Sequence, residues 1–179
     1  MSILVRASLD DARDIAALQT ESWRSAYRNL LPGEFLAGPV VENRRQMWEE
    51  RMEVPDGDGR LVLKAMDGHV LAGFTCVVRD ADPAWGPLLD NLHVKPALKG
   101  RGIGWMLFKA SLKWSAAAAP GQPMHLWVIE GNAGARAFYD RQGGAVTDRR
   151  IVEVIAGTYL PALRYVWTCP ERILDAVKR

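Results

Sequence analysis

Cysteine is scarce in this sequence: two residues, Cys76 and Cys169, in 179. Both fall in apolar, strand-like stretches, so they are expected as buried thiols of a reducing compartment and not as a disulfide framework. Long apolar runs are missing too. No stretch approaches the roughly 18 residues of a membrane span, and the opening MSILVRASLDDARD lacks the basic region and apolar core of a secretory leader. The expectation is a cytoplasmic protein with no membrane partner. An excess of one charge is also absent, since 23 Lys and Arg stand against 21 Asp and Glu, a formal net charge of +2. So small an imbalance speaks against a nucleic-acid surface or a membrane-binding patch. No set of His, Cys, Asp and Glu has metal-ligand spacing, and no metal is expected. Internal repeats and dividing linkers are lacking.

What remains is a globular composition, 49% hydrophobic and 25% charged. A chain of this length buries roughly 70% of its unfolded surface in one compact unit, so residues 1–179 are expected to form a single domain. Ile3–Leu4–Val5 reads as a first strand. A helix starts at Ser8 or Asp10, with Ile15, Leu18, Ser22 and Trp23 at helical spacing, and Pro32–Gly33 end the region. A second helix spans about Val40 to Met52, with Met47, Trp48 and Met52 inward and Arg44, Arg45, Glu49 and Glu50 wet. PDGDG at 55–59 is a loop. Two β-rich runs then flank Asp67–Gly68, a hairpin signal, and residues 70–78 read as an interior strand.

The strand PLLDNLHV runs into PALKGRGIG. A helix from Arg101 to Ala119 follows, with Ile103, Met106, Leu107, Ala110 and Trp114 on one stripe, and Pro120–Gly121 end it. MHLWVIE at 124–130 is a strand and NAGARAFYDRQGG a short helix. Strands at about Ala145–Ile155 and Ala162–Thr168 precede a short C-terminal segment of helical character. This order is that of a mixed α/β layer structure.

The string NLHVKPALKGRGIG carries the chemistry. A strand feeding a glycine-rich turn that opens a helix presents unpaired N–H groups at the positive end of the helix dipole, a cradle for phosphate or pyrophosphate. Lys95, Lys99 and Arg101 add charge. A P-loop is excluded because no Gly-Lys-Ser or Gly-Lys-Thr occurs. A dinucleotide fold is excluded because Gly100, Gly102 and Gly104 give GxGxG where GxGxxG is needed, and AAAAPGQPM stands where an acidic residue belongs.

Lys99, Gly102 and Gly104 resemble the Q/R-x-x-G-x-G/A signature of the GNAT superfamily of acyl-CoA-dependent N-acetyltransferases, with Lys99 in place of the usual Gln or Arg. A second motif, N-x-x-A-x-x-F-Y-x-x-x-G, is matched by Asn132, Ala135, Phe138, Tyr139 and Gly143. The resemblance covers nearly the whole chain. It implies an α/β, GNAT-like acyl-CoA N-acyltransferase fold: a central mixed, splayed β-sheet of about seven strands flanked by helices on both faces. It implies acetyl-CoA as co-substrate. Backbone groups of Leu92, His93 and Val94 would pair with the pantetheine arm, and amides of Lys99, Gly100, Arg101, Gly102, Ile103, Gly104 and Trp105 would hold the pyrophosphate. Phe138 and Asn132 would contact the coenzyme or order the motif, and Tyr139 would be the acid near the sulfur.

The activity implied is direct acetyl transfer to a primary amine, with no detour through Cys76. Some relatives that acetylate protein N-termini carry a Glu at the position of Trp127, so a small-molecule acceptor is favoured over a protein N-terminus. The base stays open among Glu21, Asp90, His93 and Glu130; a water chain to Glu21 or Asp90 is the first expectation, while a packed, hydrogen-bonded imidazole is the plainer reading of His93. Seven tryptophans stand out. Trp48, Trp105, Trp114 and Trp167 fit core or coenzyme-side packing; Trp23, Trp85 and Trp127 are the better candidates for an acceptor pocket, with core packing the favoured reading for them too. A different class of function, a non-catalytic acyl-CoA sensor, would keep the turn and lose turnover. Exposed β edges leave a homodimer open.

Overall fold

The computed structural model describes residues 2–54 and 59–176, so residues 55–58 of the expected PDGDG loop lie outside the described residues. Strand β1 is Ile3–Arg6. At Ser8 the N–H and Oγ both donate to Asp11 Oδ2, at 2.8 and 3.2 Å, which starts a 3-10 turn and then helix α1, Ala12–Ala26. Its inward stripe is Ile15, Leu18, Gln19, Ser22 and Trp23. The expected break at Pro32–Gly33 is instead the start of a short helix, α2, Gly33–Ala37, with Pro32 at its N-cap. Proline is barred from helix interiors and tolerated at their beginnings. Helix α3, Pro39–Glu53, follows. Trp48 is fully buried there, and Arg44, expected in solvent, is half-buried with its guanidinium 4.4 Å from the Trp23 ring centroid.

Strands β2, Arg60–Asp67, and β3, Val70–Asp82, form the expected hairpin, with Gly68 at φ 61 in its turn. Strand β4 is Gly86–Val94, helix α4 Ile103–Ala118 and strand β5 Met124–Ile129. The buried stripe of α4 is rotated from the expected one. Phe108, Ser111, Leu112 and Ser115 join Ile103 and Leu107 inside, while Met106, Ala110 and Trp114 are half-exposed. A buried hydroxyl at Ser111, bonded to Leu107 C=O and to Thr75, explains why an apolar count misses that face. Helix α5 is Ala133–Arg141, strand β6 Ala145–Ile155 and strand β7 Thr158–Trp167, which begins earlier than expected because Gly157, at φ 76, turns the chain. Helix α6, Pro170–Ala176, ends the described chain. Cys76 is buried as expected; Cys169 is exposed, because it lies beyond the end of β7 and not within it.

The strands form one seven-stranded sheet in the order β1-β2-β3-β4-β5-β7-β6. All neighbours are antiparallel except β4 and β5, which are parallel. Helix α4 covers one face, where Phe108 and Leu112 pack with Val77, Leu89, Leu126 and Trp167. On the other face Trp48 of α3 and Ile15 of α1 pack on Val62, Phe74 and Cys76. The mixed, splayed sheet with helices on both faces is therefore present.

Candidate active site

The parallel pair supplies the opening. A single register pair, Leu88 with His125, joins β4 to β5, whereas β3 and β4 stay paired down to Gly73 and Val94. Beyond Leu88 the two strands diverge and a cleft of about 670 Å³ opens between them. Ladder alternation decides which backbone groups face it. Lys95 N–H donates to Ala72 C=O at 2.8 Å and His93 lies opposite Phe74, so the main-chain groups of His93 and Lys95 turn to β3 and those of Leu92 and Val94 turn to the gap. The expectation that the backbone of His93 serves the coenzyme is thus corrected, because those groups already close a rung of the sheet. Strand β3 comes so near that a Cβ on Gly73 would lie 2.7 Å from His93 O.

At the mouth of the cleft, Gly100 and Gly102 have φ 80 and 81, and a Cβ on either would meet nothing within 4 Å. The space in front of the turn is open. The first bond of α4 runs from Met106 N–H to Gly102 C=O at 3.0 Å, so the N–H groups of Ile103, Gly104 and Trp105 precede it and have no helical acceptor. Lys99, Gly100, Gly102, Gly104 and Trp105 line the cleft; Arg101 and Ile103 do not. Ile103 turns its side chain into the core, 3% exposed, and offers only main chain.

Helix α5 closes the other wall with Phe138 and Tyr139. The Tyr139 ring is held edge-on by Phe138 and Trp167 at centroid distances of 5.3 and 5.9 Å. Burial, and then the neighbouring Tyr27, push its phenol well above the usual tyrosine range. Asn132 caps α5 by accepting Ala135 N–H at 3.2 Å, and its side chain also stands beside the Tyr27 hydroxyl. Tyr27, at the C-terminal end of α1, was not singled out by the sequence. The signal was weak, because it lies just beyond the last residue that helical spacing marks.

His93 ends a buried polar chain. Trp48 Nε1 donates to Gln19 Oε1 at 2.6 Å, which orients the amide so that Gln19 Nε2 donates to Asn91 Oδ1 at 2.9 Å and faces His93 Nε2 at 3.5 Å. The ring then meets Ser22 Oγ through Nδ1 at 2.9 Å. Burial, aided by Lys99 and Arg44, holds its pKa down to about 3. It is a neutral, packed imidazole.

The structure separates the carboxylates. Glu21 is exposed and lines neither this cleft nor the cavity behind it; at 100° per residue it points away from the stripe of Ile15, Gln19 and Trp23. Glu130 is held by Arg149 at 2.8 Å and is also off the lining. Asp90 is in the cleft. Between the pairs Cys76–Asn91 and Val77–Leu89 it is the extra residue of a β-bulge, and the bulge turns Asp90 and Asn91 together toward α1 and α3. Arg51 Nη1 and Asn91 Nδ2 donate to its Oδ2 at 2.5 and 2.7 Å. No side chain among the described residues donates to Oδ1.

Behind the bulge, on the α1 and α3 face, lies a second cavity of about 380 Å³. Tyr27, Leu89, Asp90, Asn91 and Trp127 line both spaces, so the two meet at the splay. Trp23 and Trp127 border this second cavity and Trp85 borders neither space; Trp23 is also buried in a core cluster with Leu31, Leu36 and Val40. Arg164 lies between Trp85 and Trp127, 4.5 and 4.7 Å from their centroids.

The family described as Acetyltransferase (GNAT) family matches residues 3–144. No curated protein matches the sequence. Among solved structures, PaiA N-acetyltransferase from Thermoplasma acidophilum, in complex with coenzyme A, has a TM-score of 0.75 at 19% identity, over 93% of this chain and 99% of that one. A GCN5-related N-acetyltransferase from Rhodopseudomonas palustris has a TM-score of 0.74 at 21% identity, over 94% of this chain and 96% of that one. YncA from Salmonella typhimurium, solved with acetyl-CoA, has 0.64 at 18%, over 94% of each chain.

Proposed function

The chain belongs to the acetyltransferase (GNAT) family and is an acyltransferase, and from that premise we propose that it moves the acetyl group of acetyl-CoA directly to the primary amine of a small molecule. One observation carries the proposal: free main-chain groups of β4, the open N-terminus of α4 and the Tyr139 phenol all border one cleft. The coenzyme supplies the thioester. Leu92 and Val94 would pair with its pantetheine arm as a further strand would, and the amides from Gly100 to Trp105 would hold the pyrophosphate, the Lys99 N–H being already given to Pro96 C=O.

Protons must balance around the transfer. An amine arrives as an ammonium ion and must lose one proton to attack and a second as the amide forms. The leaving thiolate regains one, so one is released overall. Asp90 is the carboxylate shared by both cavities, and its open Oδ1 would take the ammonium proton through water. A main-chain N–H of Leu92 or Val94 would steady the oxyanion. The Tyr139 phenol, kept protonated by burial, would donate to the thiolate. Cys76 is fully buried beneath α3, which leaves no thiol at the junction to carry an acyl group.

Calorimetric titration with acetyl-CoA, with NAD and ATP as controls, tests the coenzyme, and thiol release across a panel of amines tests the transfer. Selective binding followed by turnover is the expected result. Tight binding with no turnover of any amine would favour a sensor, and absence of binding by folded protein would overturn the reading.

A further inference from the structure

The charges around the second cavity are lopsided. Arg44, Arg51 and Arg150 line it, against Asp90 alone, and Arg51 already takes Asp90. Arg44 is held by the Trp23 face and by Asn43, and Arg150 lies 3.9 Å from the Trp127 centroid. Neither has a carboxylate partner among the described residues. The nearby acids are engaged elsewhere: Glu42 and Glu49 with Arg45 at 2.5 Å each, and Asp148 with Arg164 at 3.1 Å. Burial, and then the like charge of Arg51, push the Arg44 guanidinium below its usual range against the opposing pull of Asp90. Asn43 Oδ1 takes Nε and Nη2 of Arg44 and leaves its Nη1 donors, while no side-chain hydrogen bond among the described residues engages Arg150, whose stacked fork keeps its in-plane N–H groups.

An ordinary amine, a cation itself, is repelled from such a cavity unless it carries its own negative charge. On the basis of the acetyl-transfer reading, we infer that the acceptor bears an oxyanion, a carboxylate or phosphonate, close to the amine it offers, and that Arg44 and Arg150 receive that group. The planar fork of Arg150 matches a carboxylate in two-point contact, and the Nη1 group of Arg44 adds a further charged donor. Met47, Leu88, Val152 and Val154 leave room for an apolar body. The class is that of α-amino acids and their phosphonate analogues. Polyamines and simple alkylamines fall outside it.

The experiment has two arms. In the first, acetyl transfer is compared for α-amino acids, their phosphonate analogues, their amides and the amines left when the carboxylate is removed. The acids or phosphonates should exceed the neutral-tailed amines by about ten-fold or more in kcat/KM, the scale of a charge-assisted hydrogen bond, and the order of the two oxyanions names the group. Arg44→Lys and Arg150→Met should erase most of that ratio through KM while leaving the neutral amines within about three-fold. Arg150 is exposed on β6, so its variant stays informative if the other fails to fold. Amides or plain amines that match the acids, or a ratio unchanged in both variants, would overturn the inference.

The second arm needs no catalysis. N-acetyl amino acids and their amides are titrated into the protein without coenzyme, and the acids should bind more tightly in wild type and lose that advantage in Arg150→Met. If no amine is acetylated and the binding preference persists, the acetyl-transfer reading fails and the oxyanion site stands. Equal or absent binding of acid and amide across the panel overturns the site itself.

Discussion

The two spaces that meet at Asp90 are made of different material. The larger presents main chain: the turned-out groups of Leu92 and Val94, the left-handed glycines and the first amides of α4. The smaller presents side chains from α1, α3, β4, β5, β6 and β7, with guanidiniums laid on indoles. Main-chain donors survive most substitutions and serve a ligand that does not change, while side-chain donors can be exchanged one at a time. One region is suited to a shared coenzyme and the other to a particular acceptor.

The contrast can be broken most severely at the turn. Gly102→Val places a branched side chain at φ 81 and into the space in front of the loop; coenzyme affinity should fall on the order of 100-fold or more. Unchanged affinity in protein shown to be folded would mean that the main chain is not the recognition element. Tyr139→Phe keeps the ring packing and removes the phenol, so kcat should drop on the order of 100-fold with the coenzyme dissociation constant nearly intact. Equal turnover would remove Tyr139 as the acid.

Asp90→Asn comes next, with kcat/KM lower by about ten-fold. Unchanged kcat/KM would assign the base elsewhere. A smaller effect concerns stability. His93 is held at about 3, below its unfolded value of 6.5, so between those values the unfolded chain binds a proton that the folded one refuses. The neutral ring costs nothing above 6.5, and stability is lost as pH falls, by at most about 1.4 kcal/mol per unit. Urea denaturation of His93→Gln should therefore show a flatter decline from pH 7 to pH 4.5 than wild type, and parallel curves would remove this role. Least of all, Glu21→Gln should leave kcat/KM within about two-fold, since Glu21 faces solvent on α1; a fall as large as that of Asp90→Asn would return it to the mechanism.

Legibility in the sequence followed the same division. The element order, the interior place of β3 and the turn at Gly100–Gly104 were readable because periodicity and glycine punctuation are local. The missed helix α2 hides behind Pro32–Gly33, which signals a stop and a start equally well. The rotated stripe of α4 was lost because its inner face holds Ser111 and Ser115, polar residues satisfied or buried by tertiary contacts. Asp90 could be named but not placed, since the bulge that turns it beside Asn91 is a property of pairing with β3. Arg44, Arg51 and Arg150 carried no signal, because residues up to 106 positions apart meet only after folding.

The cleft and the cavity are separate spaces that share Tyr27, Leu89, Asp90, Asn91 and Trp127. For the proposed reaction, coenzyme and acceptor seated in separate spaces would then meet only along that shared wall, so a change in the far part of one space would leave the seat of the other in place.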